Sequence, residues 1–156
     1  ELYYTEYSAG NFWIFIGFLS LLSGPVFGGI SDKFGRKYGF ISVFTLQTVS
    51  YIALVLSISP NMRWIFHLSV VLFGLTAWSI PSIMTATVSD NYSANQMSAA
   101  FGFITFIFGL GQIAGPTIAG RLAEYCGSFK YSFIMISLVT LTAAVLSGFY
   151  HKTKKI

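Results

Sequence analysis

Long runs without any charged residue alternate with short charged segments along this chain. The first two runs, Tyr7–Ser31 and Tyr38–Met62, flank the charged segment Asp32–Lys37. Each run reaches the roughly 20 mostly apolar residues that a membrane-spanning helix needs, and none shows the short alternation of barrel strands. Because a helix satisfies its own backbone hydrogen bonds in hydrocarbon, the pattern predicts an all-α, polytopic transmembrane helix bundle. We number its five predicted spans 1 to 5, at about residues 11–31, 38–59, 64–89, 97–120 and 131–150.

Composition favours a membrane protein over a soluble one. Only 9% of the residues are charged, whereas a soluble domain has about 25%, and the mean hydropathy is +0.70. Basic residues are more numerous on one side of the predicted bundle, so that side and the C-terminus are predicted to be cytoplasmic and the N-terminus to be outside. The cytoplasmic set is Lys33, Arg36, Lys37, Lys152, Lys154 and Lys155, and the outer set is Arg63, Arg121 and Lys130. We therefore predict an integral protein of the plasma membrane, in contact with the lipid bilayer.

Several kinds of chemistry find no support in the sequence. Cys126 is the single cysteine, which excludes an internal disulfide and a cysteine-cluster metal site. There is no nucleophile with a neighbouring base and no group of metal ligands, so we expect neither an enzyme nor a bound metal or cofactor. A basic patch interleaved with aromatic residues is also absent, so we expect no nucleic-acid partner.

Glycine and proline occupy positions that affect helix packing. Small residues four apart let helix backbones approach closely, and a proline inside a helix removes a hydrogen bond and bends the helix. The candidate packing or hinge residues are Gly24, Pro25, Pro81, Gly111, Gly115 and Pro116. The Gly-Pro ends of spans 1 and 4 are similar and run in opposite directions, which is typical of a transporter with inverted repeats. Static packing and chance similarity are the alternatives.

The charged segment places an acid where its own helix disfavours it. Asp32 falls at the end of span 1, where the helix dipole repels a carboxylate. We therefore expect it to pair with Arg36 or with the positive start of a neighbouring helix. Gly28 and Gly35 would allow close backbone approach and a positive φ. The alternative is an ordinary solvated turn that carries the basic residues of the cytoplasmic side.

Residues 28–37 resemble the signature loop of the major facilitator superfamily. That loop runs Gly, three residues, Asp, a basic residue, any residue, Gly, Arg and a basic residue. The matching positions are Gly28, Asp32, Lys33, Gly35, Arg36 and Lys37. The Leu of the family pattern is Ile30 here, a mild departure. Members have twelve helices in two halves, so the resemblance implies that these five spans are most of one half. We favour the carboxy-terminal half, because span 3 lacks a basic residue and the basic tail resembles an ending.

The resemblance implies a secondary active transporter that moves a small solute by alternating access, together with a missing remainder of the protein. Asp32 would act as a conformational latch that holds the cytoplasmic side closed, and Arg36 and Lys37 would tune it. Asp90 would cap the start of span 4 or pair with Lys33 or Arg36. The alternative is a truncated or non-transporting helical membrane module that keeps the shape of the family.

The resemblance also implies which residues face the solute. Spans 1, 3 and 4 would line a central cavity, and spans 2 and 5 would face the lipid or the exterior of the bundle. Gln112 is the best candidate cavity residue, because an amide in hydrocarbon needs a partner, and Trp78 could shape a gate near Pro81. A hydrogen bond between neighbouring helices is the alternative for Gln112, and plain packing is the alternative for Trp78.

Overall fold

The computed structural model describes residues 6–150 and consists of six helices with short connections. In chain order the helices are α1 (Glu6–Phe34), α2 (Arg36–Leu56), α3 (Trp64–Thr76), α4 (Ser79–Asn91), α5 (Ala94–Cys126) and α6 (Lys130–Ser147). A short 3-10 turn at Pro60–Met62 lies between α2 and α3. Residues 6–150 contain no β-strand.

The predicted all-α class and the count of five spans are confirmed. Within the described residues, five helical stretches are long and apolar enough to cross a membrane, with α3 and α4 together forming one stretch, Trp64–Asn91. Span 4 was predicted at about residues 97–120, and the corresponding helix α5 is longer, since it runs from Ala94 to Cys126. The tail residues Lys152, Lys154 and Lys155, which entered the prediction of orientation, lie outside the described residues.

Small hydroxyl side chains fill the contacts between the helices, and large apolar side chains point outward. Ser23 and Ser79 are fully buried, whereas Trp13 and Phe18 on α1 are 69% and 74% exposed. In hydrocarbon an apolar side chain gains little by leaving the lipid, so helices associate through close packing of small residues and through interhelical hydrogen bonds. The distribution is the reverse of that in a soluble domain and suits a bundle that spans a bilayer.

The helix α2 lies in the middle of the described bundle and contacts α1, α3, α4 and α6. The Ser50 hydroxyl on α2 donates to the Ser69 carbonyl on α3 at 2.9 Å, and the Ser69 hydroxyl donates to the Ser50 carbonyl at 2.8 Å. Thr48 on α2 donates to the hydroxyl of Thr140 on α6 at 2.9 Å. These bonds join three helices through α2, and the exterior position predicted for span 2 in the whole transporter stays a prediction.

The helix α5 lies at the edge of the described bundle, beside α4 and α6. The Ser132 hydroxyl of α6 donates to the carbonyl of Ala119 on α5 at 2.7 Å. The most apolar stretch of α5 contains no buried residue. A Cβ added at Gly111 or Gly115 would meet no atom within 4 Å. The close packing predicted at these two glycines therefore stays a prediction.

Span 3, predicted as one continuous helix, is interrupted at Ala77 and Trp78 between α3 and α4. Pro81 lies in the first turn of α4, where its missing N–H costs little, and it cannot donate to the Ala77 carbonyl as a continuous helix would require. Neighbouring helices bond two other backbone groups at the interruption. The Trp78 N–H donates to the hydroxyl of Ser23 on α1 at 3.2 Å, and Gln47 on α2 donates to the Thr76 carbonyl at 3.4 Å.

Two turn residues separate α4 from α3: Ala77 keeps helical dihedrals, and Trp78 departs from them with a φ of −108° and a ψ of 10°. The Ser79 hydroxyl donates to the Ser23 carbonyl at 3.1 Å, which anchors the start of α4 against α1. By contrast, Pro25 and Pro116 lie inside continuous helices, α1 and α5. Of the three predicted proline hinges, only the one at Pro81 coincides with a break in residues 6–150.

Candidate functional site

One glycine connects α1 to α2 at one end of the bundle. Gly35 has a φ of 103° and a ψ of 152°, a region that residues with a Cβ essentially do not adopt. Its N–H donates to the carbonyl of Ser31 at 3.0 Å, and its carbonyl accepts from Gly39 at 3.2 Å. Because the turn is this tight, Asp32 near the end of α1 lies beside Arg36 at the start of α2.

Arg36 binds three side chains at this end. Its Nε donates to Oδ2 of Asp90 on α4 at 2.8 Å, its Nη1 donates to the Ser31 hydroxyl at 3.1 Å, and its Nη1 also binds the carboxylate of Asp32. We call these four residues the charge cluster and this end of the bundle the charged end. The cluster joins α1, α2 and α4, and it contains the Asp32–Arg36 pair and one of the two Asp90 pairs that the sequence predicts.

Each charge of the cluster is unfavourable for its own helix. Asp32 and Asp90 lie in the last turns of α1 and α4, where the helix dipole is negative, and Arg36 is the first residue of α2, where it is positive. Pairing removes these three unfavourable interactions together. The cluster is therefore stable only while the three helix ends stay close, and separating any one end leaves a charge beside a helix end of the same sign.

The two ion pairs differ in how far they are shielded from solvent. The side chains of Arg36 and Asp90 are 15% and 31% exposed, whereas that of Asp32 is 67% exposed. Exposed ion pairs contribute little, because water screens them and ordering the side chains costs entropy. The Arg36–Asp90 pair is therefore the stronger of the two ion pairs. Asp32 keeps a carboxylate that is largely accessible to solvent.

The other two basic residues of the segment lie outside the ion pairs that the structure shows in residues 6–150. The Lys33 ammonium lies 5.4 Å from the centre of the Phe34 ring. Lys37 lines a cavity of about 220 Å³ together with Asp32, Arg36 and Asp90. We call this the polar cavity. Asp90 pairs with Arg36, and capping of the start of span 4 by Asp90 stays a prediction.

The candidate cavity residues lie away from the charge cluster. Gln112 is exposed on α5, and Trp78 is 61% exposed at the junction of α3 and α4. The structure does not bring them into contact with each other or with Arg36. Gly24 and Gly28 face Ser82 on α4 at ordinary contact distance, since an added Cβ would lie 3.7 and 3.6 Å from its hydroxyl oxygen.

Two glycines that sequence reasoning missed lie in the closest helix approaches. A Cβ on Gly39 would lie 2.6 Å from Cβ of Ser31, and one on Gly74 would lie 2.9 Å from Cβ of Leu19. Gly39 therefore sets the distance between α1 and α2 next to the cluster. Its place four residues after Gly35 was the available signal, because small residues at that spacing mark close approaches.

Comparison with known proteins places these features in a family. The family model of the Major Facilitator Superfamily matches residues 5–155. Among similar proteins, the class B tetracycline resistance protein of Escherichia coli is 28% identical over 99% of this chain, and solute carrier family 22 member 18 of Mus musculus is 33% identical over 84%. Multidrug resistance protein 2 of Bacillus subtilis is 30% identical over 85%.

The chain spans only about a third of the length of these relatives, with shares of 38%, 32% and 32%. No solved structure matches the chain.

Proposed function

The chain belongs to the Major Facilitator Superfamily, and from that membership we propose that it forms part of a secondary active transporter in which the charge cluster acts as a conformational latch. The family and the five spanning helices make it an integral membrane protein and a transporter segment rather than an enzyme. The latch proposal is supported by one observation: Arg36 joins the ends of three helices through Asp32, Asp90 and Ser31.

In this proposal, α4 is the helix that moves when the latch opens. The helix α4 begins at the interruption beside Ser23, and its last turn carries Asp90 beside Arg36. In the closed form, the Arg36–Asp90 pair holds the end of α4 against α2. In the open form, α4 turns about the interruption and the pair is broken. A latch shifts a conformational equilibrium only if its contacts differ between the two forms, and in this proposal the Arg36–Asp90 pair exists only in the closed form.

Asp32 has a second role in this proposal. Its carboxylate is mostly exposed at the charged end, so it can meet the positive start of a helix in the remainder of the transporter when the charged end closes. Exposed faces of α1 and α5 would lie along the solute pathway, with Gln112 and Trp78 facing it. We assign the chain to the carboxy-terminal half and place the charged end in the cytoplasm.

We expect Asp32→Asn to shift the full-length protein towards the form that is open at the charged end, by about two- to fivefold, the effect of losing a mostly exposed ion pair. A cysteine at position 34, in a background with Cys126→Ser, would report accessibility to an impermeant thiol reagent. The matched control is Glu124→Gln, which makes the same change in an exposed acid at the opposite end of α5. Equal labelling rates in the parent and Asp32→Asn proteins would remove Asp32 from the latch.

The same cysteine tests orientation. With the charged end in the cytoplasm, position 34 should react in inside-out vesicles and stay unlabelled in intact cells. Labelling of intact cells from outside would reverse the assignment of the two sides.

The names of two relatives suggest the class of solute. One is named for tetracycline resistance and another for multidrug resistance. We propose that the whole protein exports a lipophilic organic molecule, which suits the apolar and aromatic surface that α1 and α5 expose. Cells that express the full-length protein should accumulate about threefold less tetracycline or ethidium than cells that express Arg36→Ala. Equal accumulation of both compounds would exclude this class of solute and leave transport of another solute open.

A further inference from the structure

Tyr150 lies just after α6 and contacts the end of α4. Its backbone N–H donates to the carbonyl of Ser147 at 3.2 Å, a turn-type bond that follows directly on the end of the helix. Its hydroxyl accepts a hydrogen bond from Nδ2 of Asn91 at 3.0 Å. Asn91 also donates to the Thr87 carbonyl at 2.7 Å. Because Asn91 is the last residue of α4 and follows Asp90, this contact ties α6 to the turn of α4 that carries the main acid of the charge cluster.

The ring of Tyr150 also forms part of the wall of the polar cavity. The other eight residues that line this cavity belong to α1, Gly35, α2 and α4. Tyr150 also lines a second cavity of about 330 Å³, between α2, α4 and α5. Tyr150 therefore borders both the charged surface around Arg36 and the space beside Met84 and Ile104.

The helix α6, which precedes Tyr150, is held in place by its packing against α2. Thr140 on α6 accepts a bond from Thr48 of α2 at 2.9 Å. Arg36 belongs to the same α2 helix. The contacts α2–α6, α6–α4 and α4–α2 therefore form a closed triangle, with Thr48–Thr140, Tyr150–Asn91 and Arg36–Asp90 as its three bonds.

We propose that Tyr150 is a positioning residue for the Arg36–Asp90 pair, and that its bond to Asn91 forms in the closed form and breaks when α4 turns away. The inference rests on the proposed latch. An acid in the last turn of a helix is repelled by the helix dipole, and helix ends fray. By fixing the last turn of α4, the bond keeps the Asp90 carboxylate directed at Arg36. Closure at the charged end thus includes α6 as well as α1, α2 and α4.

The test is a comparison of four forms of the full-length protein: the parent, Tyr150→Phe, Asp90→Asn and the double variant. Tyr150→Phe removes the hydroxyl and keeps the ring, so it should increase labelling of a cysteine at position 34 by about two- to tenfold, as expected for one lost hydrogen bond. Asp90→Asn should shift labelling in the same direction and by more. The double variant should match Asp90→Asn alone, because the bond acts through Asp90.

Two further variants keep the result specific. Tyr92→Phe removes a hydroxyl at the same end without touching the Asn91–Tyr150 bond and should leave labelling unchanged. Asn91→Ala removes the same bond from the other side together with the bond to the Thr87 carbonyl, so it should increase labelling at least as much as Tyr150→Phe. The proposal is overturned if Tyr150→Phe has no effect while Asp90→Asn has one, or if the two effects multiply in the double variant. If Asp90→Asn itself causes no shift, the latch fails, and this inference fails with it.

Discussion

Arg36→Ala should open the charged end, lowering the ratio of closed to open protein by about 30- to 150-fold. Hydrogen bonds to charged groups contribute about 1.5–3 kcal/mol, and we take about 2–3 kcal/mol for the largely shielded Arg36–Asp90 pair, at about 1.4 kcal/mol for each factor of ten. The exposed Asp32 pair adds little. Without the guanidinium, Asp32 and Asp90 stay beside two negative helix ends and lose the cation that pairs with both of them. Labelling of a cysteine at position 34 in the full-length protein measures the ratio.

Two variants serve as controls for Arg36→Ala. Lys37→Ala removes a neighbouring positive charge from the same cavity without breaking an ion pair that the structure shows, so it should cause a small change. Arg36→Lys keeps the charge but loses the planar fork that binds Asp90, Asp32 and Ser31 together, so it should restore only part of the closed population. Arg36→Ala and Lys37→Ala proteins with the same labelling rate would show that net charge, not the cluster, controls this end.

Gly39→Ala should destabilise the protein and weaken the latch at the same time. The added Cβ would lie 2.6 Å from Cβ and 3.1 Å from Cα of Ser31, so α1 and α2 must move apart. Overpacking of this kind costs about 1–3 kcal/mol. Since Ser31 also accepts a bond from Arg36, the shift disturbs the cluster as well. We expect a lower midpoint of thermal unfolding in detergent and faster labelling of a cysteine at position 34.

The matched control is Gly29→Ala in α1. A Cβ there meets no atom within 4 Å, and alanine is a better helix former than glycine by about 0.5–1 kcal/mol. This variant should therefore be as stable as the parent protein or slightly more stable. If Gly39→Ala and Gly29→Ala had the same thermal midpoint, the close approach of α1 and α2 would not limit stability.

The sequence was sufficient to predict the number of membrane spans and one of the two ion pairs. Spans 1 to 5 follow from the length of the apolar runs, and the Asp32–Arg36 pair follows from a spacing of four residues across Gly35. The break in span 3 was only partly predictable, because Pro81 indicated a disturbance but not its position at Ala77 and Trp78. The sequence left Asp90 to cap span 4 or to pair with Lys33 or Arg36, and its pairing with Arg36 depended on the position of α4.

What the sequence by itself determined is what the bilayer and local chemistry impose residue by residue: all-helical spans, their number, and a charged turn of the Major Facilitator Superfamily type. The tertiary structure alone decided which faces meet. Arg36 and Asp90 are 54 positions apart, and Asn91 and Tyr150 are 59 apart. In a soluble helix, the apolar stripe would show which side packs. Here both the lipid-facing and the packed sides are compatible with apolar residues, so the rotation of each helix, and with it the contacts of Gly39 and Tyr150, depends on helix packing in three dimensions.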